Sequence, residues 1–286
     1  MYREIVVPIG NESTGFAAVP TAAELSRKAG VALSVLSLLD EEPPPGPDHN
    51  GFERHLAELE QAQVDTVVNG HGTDGDAIVE YADAADRLIC MASRGSHLRH
   101  PLRGDVTERV ACESSHPILT VGRRCDPDRR TGIHRLIVPL DGTRSGEHAL
   151  DVATLWAMDF DLEVEIVQVH HVRHHPAPGP VGERSPATSD VLESASVRGR
   201  AREIARRGVA VTYDVLHSRH RSPADALIGH ARATEGAVLV IATEGHLGLR
   251  STSPANVTHR VVTHAPVPVL VTHSSELDEL PSVVHA

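Results

Sequence analysis

Aromatic side chains are almost missing from this chain, at 2% of its 286 residues, so any core has to be assembled from Ala, Val, Leu and Ile. Volume-poor cores of that kind suit β-strands packed tightly under helices. Cysteine is scarce as well: Cys90, Cys112 and Cys125 are the only three, too widely spaced for a zinc knuckle or a redox CxxC pair, and no disulfide framework is expected. Cys90 sits in an apolar run and reads as a buried, inert thiol. Residues 1–30 have neither the basic start nor the continuous apolar stretch of a secretory signal, and no run of about eighteen apolar residues occurs anywhere. We therefore expect a cytoplasmic protein with no membrane partner. Positive charge is short too: the formal net charge is −12, which works against binding a polyanion and removes DNA and RNA from the expected partners. Nor is there a nucleophile elbow, a paired-carboxylate set or a P-loop lysine, so an enzyme is not the expectation.

What is present is the composition of a globular protein, 40% hydrophobic and 23% charged, at a length that suits two domains. The sequence repeats itself. Glu4-Ile5-Val6-Val7-Pro8-Ile9-Gly10-Asn11 matches Arg135-Leu136-Ile137-Val138-Pro139-Leu140-Asp141-Gly142, at a shift of 131 from Pro8 to Pro139. Val106-Thr107-Glu108-Arg109-Val110 and His116-Pro117-Ile118-Leu119-Thr120-Val121 match Val257-Thr258-His259-Arg260-Val261 and Val267-Pro268-Val269-Leu270-Val271-Thr272 at a shift of 151. About twenty residues have therefore entered the second half, and Arg173 to Asp190, rich in His, Pro, Gly and Ser, is the surplus. Repeats this long are duplicated domains rather than solenoid units.

Within the first half the pattern predicts strands at Ile5–Ile9, Leu33–Leu39, Thr66–Val68, Leu88–Met91 and Ile118–Val121. Helices are predicted at about Phe16–Lys28, Phe52–Gln63, Ala77–Ala84 and Val106–Ser114. The second half predicts strands Leu136–Leu140, Val164–Val169, Val211–Val215, Val238–Ile241 and Val269–Val271, with Ala149, Val152, Ala153 and Trp156 on one stripe of its first helix. Alternation of this kind gives an α/β fold: two doubly wound, mostly parallel five-stranded sheets with helices on both faces. The expected domains are 1–122 and 133–273, joined by a linker at 123–132 and followed by a tail at 274–286. The closing strands Ile118–Val121 and Val269–Val271 would leave bare sheet edges, so the halves are expected to pack through them as an internal pseudo-dimer. Homodimer formation is left open.

In open parallel sheets ligands bind beyond the carboxyl ends of the strands, where strand order reverses. In the second half the residues there are Pro139-Leu140-Asp141-Gly142 and Ala242-Thr243-Glu244-Gly245, the latter continuing to Ala255-Asn256-Val257. Small residues let the backbone approach a phosphate, and N–H groups at a helix start favour its charge. Read alone, Asp141-Gly142 is also what a plain turn after a strand looks like, and Asn256 what an ordinary N-cap looks like.

Over nearly its whole length the chain resembles a tandem universal stress protein of actinobacterial type; its Ala-, Arg- and Val-heavy usage is that of a high-G+C bacterium. The ATP-binding members carry a Gly, two residues, a Gly, nine residues and then Gly-Ser or Gly-Thr after the fourth strand. Ala242, Gly245 and Ala255-Asn256 keep that spacing, with Ala for two of the glycines and Asn for the hydroxyl residue. The resemblance implies that Asp141 bonds the ribose hydroxyls beside Pro139, that Val169 meets the adenine, and that Gly245, Ala255, Asn256 and Val257 hold the phosphates. It implies ATP or AMP as ligand, with Mg2+ only alongside ATP, and a regulatory role with a protein partner under stress.

The first half departs further: Gly10 stands in the place of Asp141, the loop before Gly104 is one residue short, and Asp105 would put a carboxylate against a phosphate, although Arg94 lies nearby. Its site is expected to be lost or altered. His170, His171, His174 and His175 suggest a metal, but they border a Pro-rich segment without a carboxylate or Cys at ligand spacing and read as a solvated loop. His71 to Asp76 lacks the closing Glu of a calcium loop. Two other functions fit the same residues: an interaction module with both sites decayed, and a slow ATP hydrolase.

Overall fold

The structure is a computed structural model and describes residues 2–9, 13–38, 59, 62–69, 75–83, 86–93, 106–114, 116–170, 197–218, 222–243 and 257–273. The first half runs β1 (Glu4–Ile9), a 3-10 turn (Ser13–Ala18), α1 (Val19–Ala29), β2 (Ala32–Ser37), β3 (Thr66–Asn69), α2 (Gly75–Asp83), β4 (Arg87–Ser93), α3 (Val106–Glu113) and β5 (Ile118–Gly122). The second runs β6 (Arg135–Pro139), α4 (Arg144–Phe160), β7 (Glu163–His170), α5 (197–206), β8 (Val211–His217), α6 (Pro223–Ala233), β9 (Ala237–Thr243), α7 (Val257–His264) and β10 (Val269–His273). The helix expected at Phe52–Gln63 and the insertion at 173–190 lie almost wholly outside the described residues.

The two halves share one ten-stranded sheet in the order β3-β2-β1-β4-β5-β10-β9-β6-β7-β8. Each half is parallel within itself, and its order reads the same outward from the centre. The join is the pairing expected of the closing strands: β5 and β10 run antiparallel, with Val269 opposite Thr120, Leu270 opposite Leu119 and Val271 opposite Ile118. Thr120 Oγ1 adds a hydrogen bond to the Val269 carbonyl at 3.1 Å. Two edges that would each expose a row of N–H and C=O groups thereby satisfy one another.

Inner strands buried on both faces read as continuous apolar runs, and their alternate residues supply two cores. One holds Ile5, Val7, Leu119, Leu136, Val138 and Leu270 with α1 and α4; the other holds Val6, Ile89, Ile118, Ile137, Val269 and Val271 with α2, α3, α6 and α7. Both cores cross the join.

α1 starts later than the sequence pattern suggests, because Pro20 occupies its first turn and the residues before it wind as 3-10. In α4, Ala149, Ala153 and Trp156 are buried as expected and Val152 packs against them at the margin. The linker is held down rather than loose. Glu24 of α1 accepts the Gly132 and Ile133 N–H groups at 2.6 and 2.7 Å, and Thr21 Oγ1 donates to the Arg130 carbonyl at 2.7 Å. Arg129 donates to the Ala231 and Thr234 carbonyls and caps the end of α6.

Candidate functional site

Strand order reverses in the second half between β6 and β9, and the expected site residues that are described gather at their carboxyl ends. Leu140 N–H donates to the Val167 carbonyl at 2.8 Å, continuing the pairing of Pro139 with Val167. One further step brings Asp141 level with Val169. On the other side, Ile137 pairs with Leu239, so Leu140 comes level with Ala242. Val257 opens α7, and Thr258 in its first turn donates from Oγ1 to the Ala242 carbonyl at 3.1 Å, which ties the helix start to the strand end. Val169 and Val257 pack on the same apolar cluster. Pro139, Asp141, Val169, Ala242 and Val257 thus stand together at the carboxyl end of the sheet, where the crevice of an open parallel sheet is found. Gly245, Ala255 and Asn256 lie outside the described residues.

Asp141 is exposed and sits at the start of α4. Its Oδ1 accepts from Thr143 N–H at 3.0 Å and Thr143 Oγ1 at 2.6 Å, while Thr143 Oγ1 accepts from Gly146 N–H at 3.1 Å. Oδ2 has no partner among the described residues. Gly142 takes a φ of 79°, which glycine adopts at no steric cost. A Cβ on Gly146 would come within 3.0 Å of Asp141 Oδ1, so the bare glycine leaves the carboxylate its place. α7 carries no acidic residue in its first turn, so no carboxylate of that turn competes with an anion for its opening N–H groups. From the next turn Arg260 bonds Asp225 of α6 at 2.7 Å, which holds the Asp225 carboxyl below its usual range.

The first half repeats this framework. Thr107 Oγ1 donates to the Ala92 carbonyl at 3.3 Å. Fifteen residues separate those two, against sixteen between Ala242 and Thr258, so the shorter loop inferred from the sequence is present. Gly10, Arg94, Gly104 and Asp105 lie outside the described residues.

The sequence profile of the universal stress protein family matches the chain twice, over residues 1–122 and 132–273. The chain belongs to this family. Among solved structures, a universal stress protein from Archaeoglobus fulgidus DSM 4304 aligns with 96% of this chain and 99% of its own at 18% identity and a TM-score of 0.66. A functionally unknown protein from Pseudomonas aeruginosa PAO1 aligns with 96% of this chain and 94% of its own at 16% identity and a TM-score of 0.53. At such identities these neighbours show the fold alone. A universal stress protein solved in complex with cAMP aligns with 50% of this chain and 99% of its own, at 17% identity and a TM-score of 0.39, and carries no argument about the ligand here. No curated protein matches.

As a universal stress protein the chain has two residues at this crevice that the sequence reading passed over as site components, Thr143 and Thr258. Thr258 had a signal, since Val-Thr-x-Arg-Val occurs in both halves, but a hydroxyl that anchors a helix to a strand end shows its role only in three dimensions. Among the described residues no helix is long and apolar enough to cross a membrane.

Proposed function

We propose that this universal stress protein is a regulatory protein that binds an adenine nucleotide, ATP or AMP, in the crevice of its second half. The observation that carries the reading is the convergence of Asp141, Val169, Ala242 and Val257 at the point of strand-order reversal, with Asp141 exposed and its Oδ2 without a partner among the described residues. Asp141 would accept from ribose hydroxyls, Val169 would face the base, and the α7 start with Ala255 and Asn256 would hold the phosphates, with Mg2+ arriving only on ATP. The first half, without a carboxylate at Gly10, is not a second equal site. Hydrolysis is not part of the proposal.

Mass spectrometry of nucleotide released from the purified chain, with a Mg-ATP thermal titration, tests it: a ligand selective for the native state raises Tm with concentration. Asp141→Ala is expected to abolish the shift. No co-purified nucleotide and no shift would sink the reading. One observation favours a second reading, an interaction module with decayed sites: Asp141 Oδ1 already serves Thr143 in a local turn. That reading predicts the same Tm with and without Mg-ATP.

A further inference from the structure

Three chemistry-bearing side chains meet well away from the crevice, toward the amino-terminal half of the outer strands. Glu165 of β7 is only 7% exposed and faces α6. Its Oε1 lies 2.8 Å from Nε2 of His230, in the last turn of α6. Its Oε2 is buried with no hydrogen-bond partner among the described residues, the Arg135 guanidinium standing 3.5 Å off. Asp214 of the edge strand β8 completes the group, with one ligand atom from each of the three residues within 4.8 Å of the others. One Asp214 oxygen accepts the Val215 N–H at 2.8 Å, and the other has no partner among the described residues. Counting Glu163, which pairs with Arg135 at 2.9 Å, three carboxylates stand against one guanidinium. With the His230 imidazole neutral the surplus is two negative charges; a proton on it reduces the surplus to one.

The first half is an internal control. Its register sets Ser34 at the place of Glu165, Glu4 at that of Arg135, and Arg87 at that of Ala237. There the single carboxylate of Glu4 is bonded by Ser34 and by Arg87, at 2.6 Å from the latter, and Arg87 stacks 4.1 Å over Tyr81. There Arg87 serves as a dedicated cation for Glu4. The second half has an alanine where Arg87 stands, and carboxylates and an imidazole have gathered instead.

We propose that Glu165, Asp214 and His230 form a binding site for a transition-metal dication, Zn2+ in the first instance, with solvent completing the coordination. An imidazole nitrogen beside two carboxylates suits zinc and disfavours Mg2+ and Ca2+, which take oxygen ligands. Tetrahedral zinc sets its ligand atoms about 3.4 Å apart. The His230–Glu165 pair opens slightly to reach that spacing, and Asp214, exposed on an edge strand, swings in by rotation of its side chain. The ion then takes the place of the proton between His230 and Glu165 and matches the surplus of two negative charges. It would fasten β8, the edge of the sheet among the described residues, to β7 and α6.

Calorimetric titration of the metal-free full-length chain with Zn2+ tests the site, with the histidine-rich segment near 170–175 as the competing binder. The expected result is a one-equivalent phase whose Kd rises about tenfold or more in His230→Gln and in Asp214→Asn, unchanged in a His174→Ala/His175→Ala variant and not produced by Mg2+. Asp214 is exposed, so its variant keeps the measurement interpretable if His230→Gln folds poorly. Absence of saturable Zn2+ binding, a phase untouched by either ligand variant, or its loss with His174 and His175 overturns the proposal. None of these variants touches Asp141, so the result stands apart from the nucleotide reading.

Discussion

At the scale of the residue, the proposed function asks two things of Asp141: that its Oδ1 complete the turn into α4 and that its Oδ2 accept from a ribose. Gly146 keeps the two compatible, since a Cβ there would stand 3.0 Å from Oδ1. Gly→Ala inside a helix ordinarily stabilises by about 1 kcal/mol. Gly146→Ala is therefore expected to hold or raise the urea midpoint while weakening Mg-ATP binding, because the carboxylate must move. Equal ATP titrations for wild type and Gly146→Ala would show that Asp141 does not touch the ligand. Asp141→Asn keeps an oxygen to accept from Thr143 and is expected to leave stability within about 0.5 kcal/mol. A stability loss well above that would mark the charge itself as structural. That Asp141 and Ala242 stand at strand ends was legible because the repeat and the carboxyl-end rule locate them, whereas Val169 was singled out by the family resemblance. Glu165, Asp214 and His230 were legible by neither route. Sixty-five residues separate Glu165 from His230, no spacing motif joins them, and only the β7–α6 packing brings them together.

Among elements, the strands were the most legible, because runs of Val, Ile and Leu closed by Pro, Gly or charge state both their existence and their ends. Their exact limits were less so. β4 extends to Arg87 and Ser93, beyond the expected Leu88–Met91, since its ladder continues through Arg87 opposite Glu4 and Ser93 opposite Gly122, residues with no apolar signal. The linker carried the least information: nothing in its Pro- and Gly-punctuated basic sequence tells that the Gly132 N–H is held by α1 and the Arg129 side chain by α6. Two predictions follow from those contacts. Glu24→Ala deprives the Gly132 and Ile133 N–H groups of a charged acceptor and is expected to cost about 2 kcal/mol. Arg129→Ala leaves two carbonyls at the end of α6 to water and is expected to cost about 1 kcal/mol. Chemical denaturation measures both. A Glu24→Ala midpoint equal to wild type would show the linker to be a passive tether.

At the scale of the whole molecule, one sheet and two cores run through both halves, and the contact that reports on their union is aromatic. Trp156, the chain's single tryptophan, donates from Nε1 to the Tyr2 hydroxyl at 3.2 Å across the two halves, with the rings edge to face at 6.0 Å. Burial pushes the Tyr2 hydroxyl up to about 12; the Trp156 hydrogen bond opposes this and Asp159 adds to it. The folded state therefore holds the phenolic proton more tightly than the unfolded chain, whose tyrosine ionises near 10. Linkage gives the sign: the contribution is fully present below pH 10 and is lost as pH rises through about 12. Burial also raises the Cys125 thiol, to about 11, and the Cys90 thiol further still, so alkaline destabilisation has more than one source and only the Tyr2 share belongs to this contact. The comparison is thus between wild type and Tyr2→Phe, both retaining Cys90 and Cys125, with urea midpoints followed by Trp156 fluorescence between pH 9 and about 12. Wild type is expected to lose stability with the steeper slope, because Tyr2→Phe cannot ionise. Parallel slopes would show that Tyr2 is hydrated in the native state and that the halves are less closely joined at this corner than the ring contact implies.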